Sequence, residues 1–129
     1  SIGGKITLTS ATKLTRSGVI QAVAIADQAA QSLAIDVIFF DSDPTGTTFT
    51  DNGALDIADA DLLKVVGHVK VVAGDYTILA DNSVASVKNV NLPFQLVGST
   101  SLYACLISRG TPTYAAVTDI QLRVVVRQD

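Results

Sequence analysis

The sequence predicts an all-β protein: an antiparallel, jelly-roll-like β-sandwich of about eight strands with one short helix. Thirteen Thr and sixteen Val accompany twelve acidic residues that are all Asp. Asp prefers turns and caps, whereas β-branched residues prefer strands. Turn signals also recur every eight to fifteen residues with short β-branched runs between them. This spacing is typical of sandwiches and barrels.

Length and composition limit the remaining possibilities. A chain of 129 residues predicts one domain, residues 1–129. Apolar residues make up 48% and charged residues 16%, against about 25% charged in an average soluble domain. No run approaches the roughly 18 apolar residues of a membrane helix, so we predict no membrane partner. The chain contains no Met and begins at Ser1, so we expect that it is processed or lacks its encoded N-terminus.

The connections predict how neighbouring strands pair. Gly74-Asp75 fits a two-residue hairpin loop, and another polar turn follows at residues 81–83, which together predict a three-stranded meander over residues 68–90. The polar residues 27–31 predict that the second and third strands pair antiparallel. The eight predicted strands are residues 5–9, 18–26, 33–40, 68–73, 76–80, 84–90, 100–108 and 114–127.

One helix is predicted over "DIADADLLKVVG", residues 56–67. Asp56 or Asp59 fits the N-cap, and Asp61 is favourable in the positively polarised first turn. Gly67 fits the position just after the helix. We expect the apolar side of this helix to close one end of the sandwich.

Alternation along the strands predicts which of their faces are covered. The last strand has one apolar and one polar face, whereas residues 33–40 are apolar on both. Residues 18–26 place Val23 and Ile25 opposite Ile20 and an alanine-rich face. Because each sheet of a sandwich has only one inner face, we expect subunit contacts to cover the rest in a symmetric oligomer.

The stretch "DSDPTGTTFTDN", residues 41–52, matches the first half of an EF-hand calcium loop. Asp41, Asp43 and Thr45 occupy alternate positions, and Gly46 is sixth. Such a loop supplies oxygen ligands at positions 1, 3 and 5 and turns sharply at a glycine in position 6.

The second half of the stretch departs from the calcium loop. Position 12 is Asn52 where a bidentate Glu is needed, Pro44 lies inside the loop, and the preceding segment is a predicted strand. We therefore predict a turn in which Asp41 or Asp43 accepts hydrogen bonds from backbone amides two residues on. We predict no metal site, and keep as an alternative a looser calcium site on Asp41, Asp43 or Asp51.

No pattern of catalytic residues is present. His68 and Cys105 are the only residues of their types, and P-loop, GxGxxG and CxxC motifs are missing. We interpret Cys105 as a buried strand residue and His68 as a packing residue at the helix-to-strand corner. Paired aspartates could in principle hydrolyse glycosides, but we predict a protein that is not an enzyme and has no cofactor.

The charge distribution and the aromatic content bear on the partners. Residues 41–61 carry a charge of −6, and the remainder carries nine basic residues against six Asp. Such a small basic excess, with Arg109, Arg123 and Arg127 near the end, falls short of a nucleic-acid interface. The chain has no Trp, so only Tyr76, Tyr103 and Tyr114 could stack on a sugar.

Three stretches that span nearly the whole chain resemble a family of small structural proteins of tailed bacteriophages and prophages, often encoded beside the major capsid protein. They begin at "GGKITLTSA", "GVIQAVAIAD" and "LPFQLVGSTS". The segments "FFDSDPT" and "DIADADLLK" contribute most to this resemblance.

The resemblance implies a capsid decoration or cement protein that is made in the cytoplasm of the bacterial host and lies on the virion surface. Its expected partners are copies of itself, commonly as a trimer, and the major capsid protein. The family supplies no catalytic residues. Two alternatives remain: a tail or baseplate subunit, and a carbohydrate-binding or adhesive β-sandwich module.

Overall fold

The computed structural model describes residues 1–116 and 118–129. This part of the chain forms nine strands, one short α-helix and a 3-10 turn at Ala73–Asp75. The strands are β1 (Ile2–Leu8), β2 (Ser17–Asp27), β3 (Ile35–Phe40), β4 (Val65–Val71), β5 (Tyr76–Leu79), β6 (Asn82–Val87), β7 (Leu92–Gln95), β8 (Leu102–Ser108) and β9 (Ile120–Gln128), and the helix is α1 (Asp59–Leu62).

The strands form two antiparallel sheets, which confirms the predicted all-β sandwich. The first sheet has the order β1-β8-β3-β4. In the second, β5 pairs with β6, β6 and β7 pair with successive halves of one edge of β2, and β9 pairs with its other edge. Strands far apart in sequence are thus neighbours, as in Greek-key and jelly-roll sandwiches. The strand missing from the prediction is β7, whose four residues include Pro93.

Two predicted pairings are wrong because the chain crosses between sheets where a hairpin was expected. β2 and β3 lie in different sheets, so residues 27–31 do not connect paired strands. The 3-10 turn at Ala73–Asp75 likewise leads from β4 in the first sheet to β5 in the second. The β5–β6 hairpin is confirmed. A polar turn permits either a hairpin or a crossing, and packing between the sheets decides which occurs.

The helix is shorter than predicted, and the last three residues of the predicted range belong to a strand. Residues from Val65 onward form β4, in which Val65 and Gly67 pair with Phe40 and Phe39 of β3. Burial in a paired strand therefore outweighs the helical spacing of residues 56–67. The predicted C-terminal strand is also shorter, since β9 begins at Ile120; residue 117 of the predicted range lies outside the described residues.

The expected cap and orientation of the helix are also wrong. The N-cap is Ala58, with no side-chain cap hydrogen bond, so neither Asp56 nor Asp59 caps the helix. Leu62 is 52% and Leu63 is 89% exposed. Hence α1 does not close an end of the sandwich with apolar side chains.

The main core lies between the two sheets. The register of β2 against β9 shifts between Ile20 and Ala22, so Gln21 is an extra, bulged residue. The bulge turns Ile20 to the same buried face as Val23 and Ile25, which corrects the prediction that Ile20 lies opposite them. The predicted apolar face of β9 is confirmed, since four of its residues pack against this core: Ile120, Leu122, Val124 and Val126.

A second buried layer covers the outer face of the first sheet. Phe40 and Cys105 are 0% exposed, yet they lie outside the cluster between the sheets. The ring of Phe49 meets that of Phe40 edge-on, with centroids 6.4 Å apart. Residues 54–57 line a cleft with Ile38 of β3. The prediction that β3 is covered on both faces is confirmed, but this chain's own residues 41–61 supply the second cover. The two-sided pattern of β3 therefore gives no argument for a subunit contact.

Candidate functional site

Residues 41–61, hereafter the acidic segment, are anchored by a buried carboxylate. Asp61 is 1% exposed; its Oδ2 accepts a hydrogen bond of 2.7 Å from Thr47 Oγ1, which accepts one of 3.1 Å from the amide of Ala58. Lys64 Nζ lies 2.8 Å from Asp61 Oδ1 and donates to the backbone oxygen of Asp43. The hydrogen bond from Lys64, followed by that from Thr47, lowers the pKa of Asp61. This network fixes the beginning of the segment to its end.

The three candidate calcium ligands are engaged in separate contacts. Asp43 Oδ1 lies 2.5 Å from Lys5 Nζ, and Asp41 Oδ1 accepts a hydrogen bond of 2.9 Å from Ser42 Oγ. Asp51 Oδ1 accepts one of 2.7 Å from a backbone amide of β1. Within residues 1–116 and 118–129, no three His, Cys, Asp or Glu side chains form a group that could hold a metal ion. The structure thus does not bring Asp41, Asp43 and Asp51 together.

The acidic segment is also attached to the beginning of β1. Asp51 accepts the amide hydrogen of Gly3, the amide of Asn52 donates to the Ser1 oxygen at 3.1 Å, and Ser1 Oγ donates to the Thr50 oxygen at 2.9 Å. The prediction that Asp41 or Asp43 accepts hydrogen bonds from amides two residues on is therefore wrong; Asp51 accepts them instead, from the amides of Gly3 and Asn52. Sequence reasoning missed the contacts with Ser1 and Gly3 because these partners lie about 50 residues away in the chain.

The two single residues with possible chemistry, His68 and Cys105, lie on the two strands that flank β3. His68 is exposed on β4, opposite Ile38, so the prediction that it is a packing residue is wrong. Cys105 is buried as predicted, and burial raises the pKa of its thiol to about 11. Since the thiolate is the nucleophilic form, burial disfavours reaction of Cys105 in the folded protein.

The tyrosines do not form one stacking platform for a sugar. Tyr76 packs against the core between the sheets, whereas Tyr103 lies on the first sheet with Lys5 Nζ 5.5 Å from its ring centre. Burial raises the pKa of Tyr76, and raises that of Tyr114 to about 12 with a further contribution from the charge of Asp27. Both hydroxyls are buried and, in the described part of the chain, make no hydrogen bond.

One group of exposed apolar side chains lies on the outer face of the second sheet. On the outer face of the second sheet, Ala22 pairs with Val125 and Ala26 with Val84. Val84 is 44% and Val125 is 48% exposed. We call this surface, which also includes Ala24, the alanine face. It is flat because its central strand carries only methyl side chains there.

Searches for similar proteins give no match to a family model, a curated protein or a solved structure. Among the described residues, no helix is long and apolar enough to cross a membrane.

Proposed function

We propose that this protein is a non-enzymatic structural protein of a phage virion, a capsid decoration or cement protein. In this proposal it assembles with copies of itself, as a trimer, and binds the major capsid protein on the outside of the head. The observation that supports it most is the alanine face: a flat surface with half-exposed valines on both sides of β2, on which Arg123 of β9 lies beside Ala24. Burial of such a surface against another copy gains about 25 cal/mol per Å².

The acidic segment supports a structural role in a second way. Its hydrogen bonds and ion pairs hold it against the first sheet, so a contact made through it would cost little ordering entropy. Contacts repeated by the symmetry of a capsid would then add through avidity and not through one tight interface. In this proposal, many such repeated contacts hold neighbouring capsid subunits together.

Light scattering of the purified protein tests the self-assembly. We expect a trimer at micromolar concentration and a monomer for Ala24→Arg, because the new charge would lie at the centre of the alanine face. Thr48→Arg is the matched control: it adds the same side chain, with the same change in net charge, at an exposed position of the acidic segment, so the trimer should persist. A stable wild-type monomer at this concentration contradicts the proposal.

Co-sedimentation with capsids tests the location. We expect the protein to sediment with mature heads that lack other surface proteins, and a reconstruction of those heads to show added density outside the shell. Density only in the tail would favour a tail or baseplate subunit. Saturable binding on a glycan array without capsid binding would favour an adhesive module.

A further inference from the structure

The sandwich is open along one side, where an edge strand of each sheet lies. Among residues 1–116 and 118–129, β1 pairs only with β8, and β9 pairs only with β2. Residues of β1 and β9 together line two clefts of about 710 and about 490 Å³. At one end of this open side, the side chain of Gln128 reaches from β9 to the loop after β1, where its Nε2 donates hydrogen bonds of 3.2 Å to the backbone oxygens of Ser10 and Ala11.

Apolar side chains remain half-buried along this open side. On the inner face of β2, Ile20, Val23 and Ile25 are at most 1% exposed. The inward residues of the neighbouring β9 pack against the same core but are all partly exposed. Additional apolar surface could therefore be buried beside β9 without any change in the fold.

The other edge strands are protected against pairing with a further strand, and β9 is not. β1 has a register irregularity that contains Gly3 at a φ of +64°, and β4, the other edge of the first sheet, has one at Val66. β7 contains Pro93, and β5 has only four residues. Bulges, prolines and short length are the usual means by which edges avoid further pairing. β9 runs for nine residues without Pro or Gly, and the bulge in its pairing lies in β2. Within the part of the chain that the structure describes, no strand pairs with its outer edge, so this edge presents backbone groups to an added strand.

The outward face of β9 is positively charged. Arg123 and Arg127 are exposed on it, and their neighbours across the strand pair are Ala24 and Val19. Within the described residues neither makes an ion pair, whereas Arg109 forms one with Asp36. Pairing of β9 with β9 of a second copy would place four arginines on one face, and like charges on adjacent strands are destabilising. Carboxylates opposite these arginines would be stabilising.

We infer that the free edge of β9 binds an extended segment of another polypeptide as a tenth strand. The unpaired backbone edge requires an extended chain. The half-buried side chains of β9 require apolar residues at every second position of the added segment. Arg123 and Arg127 require acidic residues at the positions of the segment that alternate with the apolar ones. This inference goes beyond the proposed function and holds whether or not the protein belongs to a virion.

A nine-residue fluorescent peptide in which Val and Asp alternate tests the inference. Its pattern is the same in both chain directions, so it fits β9 in parallel or antiparallel orientation. Fluorescence anisotropy should show it binding about tenfold tighter than the same peptide with Lys in place of Asp. An Asp peptide with Pro at its centre should bind at least about tenfold more weakly, because Pro removes a backbone hydrogen-bond donor.

Variants of the protein show whether the arginines of β9 are responsible. The double variant Arg123→Asp with Arg127→Asp should prefer the Lys peptide, and Arg123→Gln with Arg127→Gln should bind both peptides alike. The control Lys70→Asp with Lys88→Asp makes the same change in net charge at exposed positions away from β9. It should keep the wild-type preference.

Hydrogen exchange distinguishes strand addition from loose attraction between charges. The bound Asp peptide should slow exchange at backbone amides of β9 at least about tenfold. Equal binding of both peptides by the wild type, or unchanged exchange in β9, overturns the inference. Self-association through β9 that excess Asp peptide fails to displace also overturns it, because a second copy would then occupy the edge.

Discussion

Replacing Phe40 by Ala tests whether the acidic segment forms a true second core. Phe40 is fully buried on the outer face of the first sheet, where the ring of Phe49 meets it edge-on. Its neighbour Phe39 is equally buried but belongs to the core between the sheets. Phe39→Ala is therefore a matched control with the same chemical change on the opposite face of one strand.

The expected loss follows from burial. Truncation of a fully buried Phe to Ala costs about 3–5 kcal/mol, and an edge-on aromatic pair contributes about 0.5–1.5 kcal/mol of interaction. We expect Phe40→Ala to lower the free energy of unfolding by about 3 kcal/mol. At about 2.1 cal/mol/K of unfolding entropy per residue, a chain of 129 residues changes its Tm by about 4 °C for each kcal/mol. The expected fall in Tm is about 11 °C.

Urea unfolding of the wild type, Phe40→Ala and Phe39→Ala measures these losses, and scanning calorimetry gives the Tm values. Phe40→Leu, Phe49→Leu and the double variant complete a cycle that should give a coupling of about 0.5–1.5 kcal/mol. If Phe40→Ala costs less than about 1 kcal/mol while Phe39→Ala costs 3 or more, the acidic segment does not cover this face.

Three further predictions concern single residues. The pKa of Asp61 in the folded protein is lowered from 3.8, so its ionised carboxylate stabilises the fold fully above pH 3.8, and this stabilisation is lost as the pH falls through the folded pKa. The difference in unfolding free energy between the wild type and Asp61→Asn should therefore shrink from pH 7 to pH 3. A Cβ on Gly18 would lie 2.8 Å from the backbone oxygen of Arg127, so Gly18→Ala should lower the free energy of unfolding in urea by about 1–3 kcal/mol. A Cβ on Gly4 would have no atom within 4 Å, so the control Gly4→Ala should cost less than about 0.5 kcal/mol. Cys105, with its pKa raised to about 11, should react with a thiol reagent at pH 8 only after unfolding in guanidinium, and rapid labelling of the native protein would contradict this.

Properties that depend on local alternation could be predicted from the sequence. The two faces of β9, the double cover of β3 and the burial of Cys105 all agree with the structure, because side chains in a strand point alternately to opposite faces. The composition also predicted an all-β fold. In each case a residue and its near neighbours contain the relevant information.

Properties that depend on distant partners could not be predicted. Residues 65–67 have helical spacing, yet they extend β4 because β3 offers them a pairing edge. The bulge at Gln21 is defined by the register of β2 against β9, about 100 residues later in the chain. For the candidate site, the spacing of Asp41, Asp43 and Asp51 suggested shared ligands, but Lys5 and the backbone of β1 draw two of these carboxylates into separate contacts.

The burial of β3 shows most clearly which properties depend on local sequence and which depend on tertiary contacts. The sequence by itself determined that both faces of this strand must be buried, because apolar side chains on both faces are costly to leave in water. Only the tertiary structure decided that the acidic segment, and not a second subunit, buries the outer face. Hydrophobic burial is non-directional, so the apolar face of β3 must be covered, but its side chains do not specify by which segment. The contacts among Asp61, Thr47 and Lys64 hold the acidic segment over this face.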